Sequence, residues 1–287
     1  MPELPEVEVV KQSLEKYILN ESLLKIVIKN KKLRFPIPIN LSKKLSKKNI
    51  VNVKRFSKYV VIEFKNELFL LIHLGMSGTL HLTKNLKYSK NTNLSFYHSK
   101  NLPKKHNHVY FIFKKFLIIF NDPRRFGFLK LIKGKTSLKN YFSKYGPDPF
   151  DNNFNFGYVK RYLSKKKKNT KNTLLDQKFI SGIGNIYASE ILNYAKINPL
   201  KPSGKMSNSE INRIIFYVKK VLKYSIKQGG STISNFHSIK GKMGSYQKEF
   251  RAYNREKEIC KNKSCSGIIF KLNISNRSTY MCNTCQK

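Results

Sequence analysis

Acidic residues are scarce. Only 16 Asp and Glu stand against 57 Lys and Arg, which gives a net charge of +41. A charge that large implies a polyanionic partner, most simply nucleic acid. Lysine, asparagine and isoleucine are all abundant, as in chains from A+T-rich genomes, so part of the charge is compositional. Long apolar runs are missing too. No stretch of about 18 uncharged apolar residues occurs, so no membrane-spanning helix is expected. No basic segment followed by an apolar run opens the chain, so no secretory signal is expected. Cysteine is absent before position 260, and all four cysteines fall in the last 28 residues. In a chain without an export signal, that grouping favours metal over disulfides.

The few acids are unevenly placed. Glu3, Glu6, Glu8, Glu15 and Glu21 put five of the 16 in the first 21 residues. The opening Met1-Pro2-Glu3-Leu4-Pro5-Glu6-Val7-Glu8 reads in two ways. The plainer reading is a helix entry, with Pro5 in the first turn and carboxylates facing the positive helix end. The second begins with removal of Met1, as is usual before a small residue. Pro2 then carries a secondary amine of pKa near ~8, more nucleophilic at neutral pH than lysine. Amines form Schiff bases at carbonyl and sugar carbons, and a neighbouring carboxylate such as Glu3 can shuttle protons. Both readings hold together if the helix pins Pro2 and Glu3.

After an amphipathic helix over residues 5–19, short β-like runs follow at Leu24–Ile28, Tyr59–Phe64, Leu68–Ile72, Val109–Phe113, Phe116–Phe120 and Phe128–Ile132. Their β-branched and aromatic content predicts a sandwich or barrel, with Lys114-Lys115 as a hairpin turn. Residues 85–107 read as a lysine-rich loop. Gly146-Pro147-Asp148-Pro149 marks a boundary. Beyond it helices are expected at 156–164, 173–180, 185–196 and 208–227, then a mobile glycine-rich loop over 229–246.

Cys260 and Cys265 enclose four residues, and Cys282 and Cys285 enclose two; 16 residues separate the pairs. That pattern suits tetrahedral zinc on four thiolates, which would supply the folding energy of a unit too small for its own core. Ile268–Leu272 and Ser278–Met281 read as a hairpin, with Arg277 near its turn: a solvated arginine or a phosphate contact. Gly182-Ile-Gly-Asn185 makes a tight turn ahead of a helix capped by Asn185. Such a turn is either a plain helical hairpin or a phosphate site made of exposed N–H groups. His73-Leu-Gly-Met-Ser-Gly78 and Asn121-Asp-Pro-Arg-Arg-Phe-Gly127 both follow strands. Met76 is core, or it is displayed with Arg124 and Phe126 as a wedge that fills the gap left by an extruded base. Lys58 and the run Lys165–Lys168 read by default as solvated cations.

These segments, with Lys105-His-Asn-His108 and Gln228-Gly-Gly230, together resemble the formamidopyrimidine-DNA glycosylases, in family order along the whole chain. The resemblance implies an α+β multidomain fold: an N-terminal β-sandwich flanked by helices (1–135), a linker (136–150), a helix–two-turn–helix DNA-binding domain (151–240) with a lesion loop (229–246), and a C-terminal β-hairpin zinc finger (250–287). It implies excision of oxidised purines from duplex DNA held between domains, followed by strand cleavage at the abasic site. By this likeness Pro2 is the nucleophile, Glu3 the general acid/base, Lys58 an aid to elimination and Arg277 a phosphate ligand linked to the later elimination. Met76, Arg124 and Phe126 match the wedge. His106, Arg125, Asn185 and a lysine of the Lys166-Lys167 pair match backbone contacts, and Lys171 a lysine near the lesion. Cys260, Cys265, Cys282 and Cys285 would hold one structural zinc. No catalytic metal or small-molecule cofactor is expected, and the chain should be a cytoplasmic, nucleoid-associated monomer. Two departures stand out. The first cysteine pair usually encloses two residues rather than four, and Gly244-Ser-Tyr246 lacks the aromatic that often follows the glycine. Two other functions fit parts of the pattern: an endonuclease VIII-type glycosylase for oxidised pyrimidines, and a non-catalytic basic nucleic-acid-binding protein.

Overall fold

The structure is a computed structural model that describes residues 1–83, 104–231 and 244–287. Most of the lysine-rich loop and residues 232–243 of the glycine-rich loop lie outside the described residues. The chain forms two units: residues 1–143 with 228–247, and residues 144–227 with 248–287. The segment 228–247, which the sequence grouped with the helical region, thus belongs with the N-terminal unit.

The first unit opens with helix α1 (Leu4–Ile18), which buries Leu4, Val7, Val10, Leu14 and Ile18 at helical spacing. One sheet has five strands in the order β1 (Ser22–Leu23), β3 (Lys48–Phe56), β4 (Tyr59–Phe64), β5 (Leu68–His73) and β9 (Phe128–Lys133). The other has four, in the order β2 (Lys25–Ile28), β7 (Asn107–Ile112), β8 (Leu117–Asn121) and β6 (Thr79–Thr83). Every pairing is antiparallel. Ile62, Leu70 and Ile72 of one sheet share a core with Leu80, Phe111 and Phe120 of the other, which makes the sandwich. Register places Tyr59, His73 and Phe128 in one row across the five-stranded sheet. Their rings pack together, with His73 stacked on Phe128 at 5.1 Å.

Besides the two-residue β1, four named elements of this unit do not stand out in the sequence. β3 is interrupted by a register shift between Ile50 and Asn52, so its apolar residues lose strict alternation. β6 contributes only Leu80 and Leu82 as apolar residues. Helix α2 (Leu41–Leu45) has a single turn. Helix α3 (Lys135–Phe142) occupies part of the stretch expected as linker and sets Phe142 against Tyr59.

The second unit holds α4 (Phe156–Leu163), α5 (Thr170–Leu175), α6 (Asn185–Ala195) and α7 (Asn208–Lys227), then the hairpin β10 (Ile269–Ile274) and β11 (Arg277–Cys282). α6 and α7 pack together, with Ile191, Leu192, Ile214 and Val218 buried, and a 2.6 Å bond joins the Tyr187 and Ser225 hydroxyls. No described helix is long and apolar enough to cross a membrane.

Candidate active site and nucleic-acid interface

Pro2 and Glu3 are buried at the start of α1. The Glu3 N–H donates to Glu6 Oε2 at 2.9 Å, and the Glu3 carboxylate accepts from the Glu6 N–H, a reciprocal cap. The helix therefore does hold the acidic N-terminus in place. Glu6 does more than the sequence suggested. Its Oε1 accepts from the N–H and hydroxyl of Ser231 at 2.8 and 3.0 Å. Gly230 comes so close, in a left-handed conformation, that a Cβ there would sit 3.1 Å from Glu6 Oε1. One carboxylate thus joins the chain start to the segment after Gln228. Its only sequence signal was the clustering of acids.

Lys58 lies in the turn between β3 and β4 and is only 8% exposed, unlike a solvated lysine. The turn is tied to α1: Arg55 Nε donates to Glu8 Oε2 at 2.8 Å, and Arg55 Nη1 to the Ser57 carbonyl at 3.2 Å. The charge of Lys58 is felt at His73. Burial first, then Lys58 and Arg34, lower the His73 pKa to about 4. His73 Nδ1 accepts from the Gly75 N–H at 3.0 Å, and a neutral ring is what that bond needs. His81, bonded to Thr79 Oγ1 at 2.6 Å, is lowered by burial to about 3. Both folded values lie below the ordinary ~6.5 of an unfolded chain. Stability is therefore full above that pH and is lost as pH falls toward 4, on the order of 1.4 kcal/mol per pH unit for each histidine. Thermal melting from pH 7.5 to 5 should show the loss, and His81→Phe should lessen it; an identical pH slope in the variant contradicts the assignment.

The loops carrying Met76 and Arg124–Phe126 meet at one buried carboxylate. Asp122 Oδ1 accepts from Ser77 Oγ at 2.5 Å and Oδ2 from the Gly127 N–H at 2.7 Å. Ser77 Oγ in turn accepts from the Arg124 N–H at 3.1 Å. A side chain at Gly75, which has a φ of +63°, would collide with the backbone of Phe126 and Gly127. Met76 is 44% exposed and Phe126 41%, and the Arg124 guanidinium stands 4.7 Å from the Phe126 ring centre. Met76 is therefore displayed rather than core. Arg125 is exposed on the same turn with a φ of +56°. The Asp122 N–H donates to the His106 carbonyl at 3.0 Å, so His106 is brought beside this turn. Burial, with Lys105, His108 and Arg125, holds the His106 pKa below its usual value. Asp122 and Ser77 belonged to the quoted motifs, but their joint role was not legible there because 45 residues separate them.

In the second unit, Gln177 clasps the glycine turn: its Oε1 accepts from the Gly182 N–H and its Nε2 donates to the Ile183 carbonyl, both at 2.8 Å. Gly184, rather than Asn185, is the cap residue of α6. Asn185 is the first helical residue and donates from Nδ2 to the Ser278 carbonyl at 2.9 Å. Lys171 departs from the surface position of a DNA contact. It is 0% exposed, and its ammonium donates to the Ser278 carbonyl at 3.0 Å and to Thr279 Oγ1. Those bonds hold the finger hairpin at the residues next to Arg277, which is itself exposed. Lys166 and Lys167 are exposed, with the Lys166 ammonium 5.0 Å from the Tyr162 ring centre. The buried Glu190 carboxylate, missed in the sequence, accepts from the N–H groups of Arg251, Ala252 and Tyr253 at 2.7–2.9 Å.

The four cysteine sulfurs lie within 4.8 Å of one another. Cys260 and Cys285 Sγ are 3.7 Å apart, and Cys265 and Cys282 Sγ 3.6 Å. Thiolates ~2.3 Å from a tetrahedral zinc stand ~3.8 Å apart, so the set fits a metal ion despite the lengthened first pair.

Residues 1–129 match the formamidopyrimidine-DNA glycosylase N-terminal domain family, and residues 145–237 the H2TH domain of the same enzymes. Curated formamidopyrimidine-DNA glycosylases of Wolbachia (from Drosophila simulans, strain wRi) and Rickettsia bellii are 37% and 38% identical, each over 100% of both chains. Among solved structures, a Lactococcus lactis Fpg variant bound to Fapy-dG-containing DNA superposes with a TM-score of 0.87 at 30% identity over 100% of both chains. The same bacterium's Fpg with abasic-site DNA gives 0.85 over 99% of each. Sandwich, helical turn and cysteine finger define a DNA glycosylase of the glycosylase/lyase type, acting in repair on damaged DNA. The chain belongs to the formamidopyrimidine-DNA glycosylase family.

Proposed function

We propose that the chain excises oxidised purines, 8-oxoguanine and formamidopyrimidines, from duplex DNA and then cuts the strand. The Pro2 amine forms a bond to the sugar C1′ while the glycosidic bond breaks, its electron pair leaving with the base. Glu3 moves the protons on the sugar. The C1′–O4′ bond then opens, O4′ taking a proton from Glu3, which leaves C1′ as a Schiff base. Loss of a C2′ proton expels the 3′ phosphate, and loss of a C4′ proton then expels the 5′ phosphate (β,δ-elimination). Lys58 assists that elimination from the turn beside α1, and Arg277 grips a phosphate. Met76, Arg124 and Phe126 fill the space of the extruded base, with Arg124 toward the orphaned cytosine. His106, Arg125, Asn185, Lys166 and Lys167 bind the DNA backbone. The finger holds one structural zinc, and the chain acts as a monomer.

The observation that carries this reading is the buried Pro2-Glu3 pair, fixed by the Glu3–Glu6 cap. A non-catalytic binding protein has no use for it. The oxidised-pyrimidine reading shares Pro2 and Glu3, but the Leu4-Pro5 continuation and the Met76, Arg124 and Phe126 set favour purines. Borohydride trapping on 8-oxoguanine:C and thymine-glycol duplexes should give a covalent complex preferentially with the first; a preference for the pyrimidine lesion overturns it. Binding should weaken by ~10³–10⁵ between 50 and 200 mM salt if six to ten phosphates are neutralised.

A further inference from the structure

The four-residue spacing of the first cysteine pair encloses one buried polar side chain. Among its four enclosed residues, Lys261, Lys263 and Ser264 are exposed, whereas Asn262 is only 6% exposed. Its amide nitrogen donates to Cys285 Sγ at 3.2 Å and to the Asn193 carbonyl at 3.1 Å, with Asn193 Oδ1 at 3.4 Å. Its carbonyl accepts from the Cys265 N–H at 3.1 Å, which closes the loop back onto the next ligand. Asn193, in the last turn of α6, donates to Gln286 Oε1 at 3.0 Å. The same Gln286 oxygen accepts from the Cys282 N–H at 2.9 Å, and Gln286 Nε2 donates to the Ile197 carbonyl at 2.9 Å. Asn193 and Gln286 are both buried. A continuous polar chain therefore runs from the sulfur cluster to the end of α6. The start of α6 holds the hairpin through Asn185 and Ser278, so the finger is fastened at both ends of one helix.

We propose that Asn262 is a positioning residue for the metal, orienting the Cys285 thiolate and tying the four-sulfur site to α6. Four thiolates around a divalent cation leave two negative charges in a partly buried pocket. An N–H donor aimed at one sulfur offsets that charge and fixes the direction of its lone pairs. Partners of metal ligands commonly set affinity by 10–100-fold. A plain packing role would require only that Asn262 fill space; its reach to a ligand sulfur and to Asn193 together is what a metal clamp needs.

The inference rests on the zinc reading above, and one experiment separates the two. The zinc-loaded full chain is titrated with a chromogenic chelator, beside Asn262→Ala, Asn262→Leu and Lys263→Ala. The Asn262 variants should give up zinc at 10–100-fold lower chelator concentration, with Lys263→Ala unchanged. Loaded with cobalt, Asn262→Ala should show its thiolate-to-metal band shifted to longer wavelength, because the sulfur has lost its donor. If the parent chain takes up neither zinc nor cobalt, the zinc reading itself fails. If it does, and Asn262→Ala releases zinc within twofold of the parent with the cobalt band unmoved, the proposal is overturned. An Asn262→Ala chain that melts early even at saturating zinc, with an unchanged chelator midpoint, has lost packing alone and overturns it equally.

Discussion

A chain whose N-terminal amine is blocked, by a retained Met1 or by acetylation, should give no borohydride-trapped complex and cut no lesion duplex, while still binding it. In either form the Pro2 nitrogen is an amide, its lone pair delocalised into the carbonyl, and it cannot attack carbon. No lysine replaces it well. At pH 7 an amine of pKa ~8 is about 10% unprotonated, a lysine of pKa ~10.4 only about 0.04%. Glu3→Gln leaves the amine but removes the proton shuttle, and should slow excision by ~10²–10⁴. Single-turnover cleavage and trapping, run side by side on blocked, unblocked and Glu3→Gln chains, give the comparison. Trapping by the blocked chain would move the nucleophile to a lysine, with Lys58 first in line.

Glu190→Ala should cost the second unit roughly 3–5 kcal/mol. The carboxylate is buried at the centre of α6, and three consecutive backbone N–H groups converge on it. Burial raises its pKa, while those three bonds and Arg251 favour the anion. Alanine leaves three donors facing a void, the Ala252 N–H buried and those of Arg251 and Tyr253 part-buried. Glu190→Gln keeps one acceptor and should cost about half as much. Melting of the zinc-loaded chain should fall by on the order of 10 °C for alanine. A shift of only a degree or two would mean that the 251–253 segment holds its place without the carboxylate. Because this segment leads into the finger, DNA binding should weaken with it.

What the sequence made legible was periodic or clustered. α1 and α7 follow from apolar spacing, and the strands from Tyr59 to His73 from dense β-branched residues. The metal site follows from cysteine pairs, whose local spacing is itself the chemistry. What stayed hidden depends on distance along the chain. The link between Glu6 and Ser231 spans 225 residues, and that between Lys171 and Thr279 spans 108; no local pattern encodes either. Lys171 was matched by resemblance to a lysine near the lesion, and nothing in its local sequence marks it as buried. Only the fold shows that a hairpin carbonyl and a hydroxyl receive its ammonium. Asn185 was read as a cap because asparagine favours that position, yet Gly184 occupies it and frees the amide for Ser278.

The shared footing of Met76 and the Arg124–Phe126 turn has a consequence for exchange between relatives. Ser77 and Asp122 hold each other, Arg124 leans on Ser77 through its N–H, and Gly75 leaves no room for anything but the backbone of the other loop. Neither loop has a shape of its own to carry elsewhere. Residues 73–78 and 121–127 therefore form a single cassette split across the chain. A chimaera that swaps one half without the other should lose the joint display of Met76, Arg124 and Phe126 even when every exposed side chain is correct, and swapping both halves should restore it.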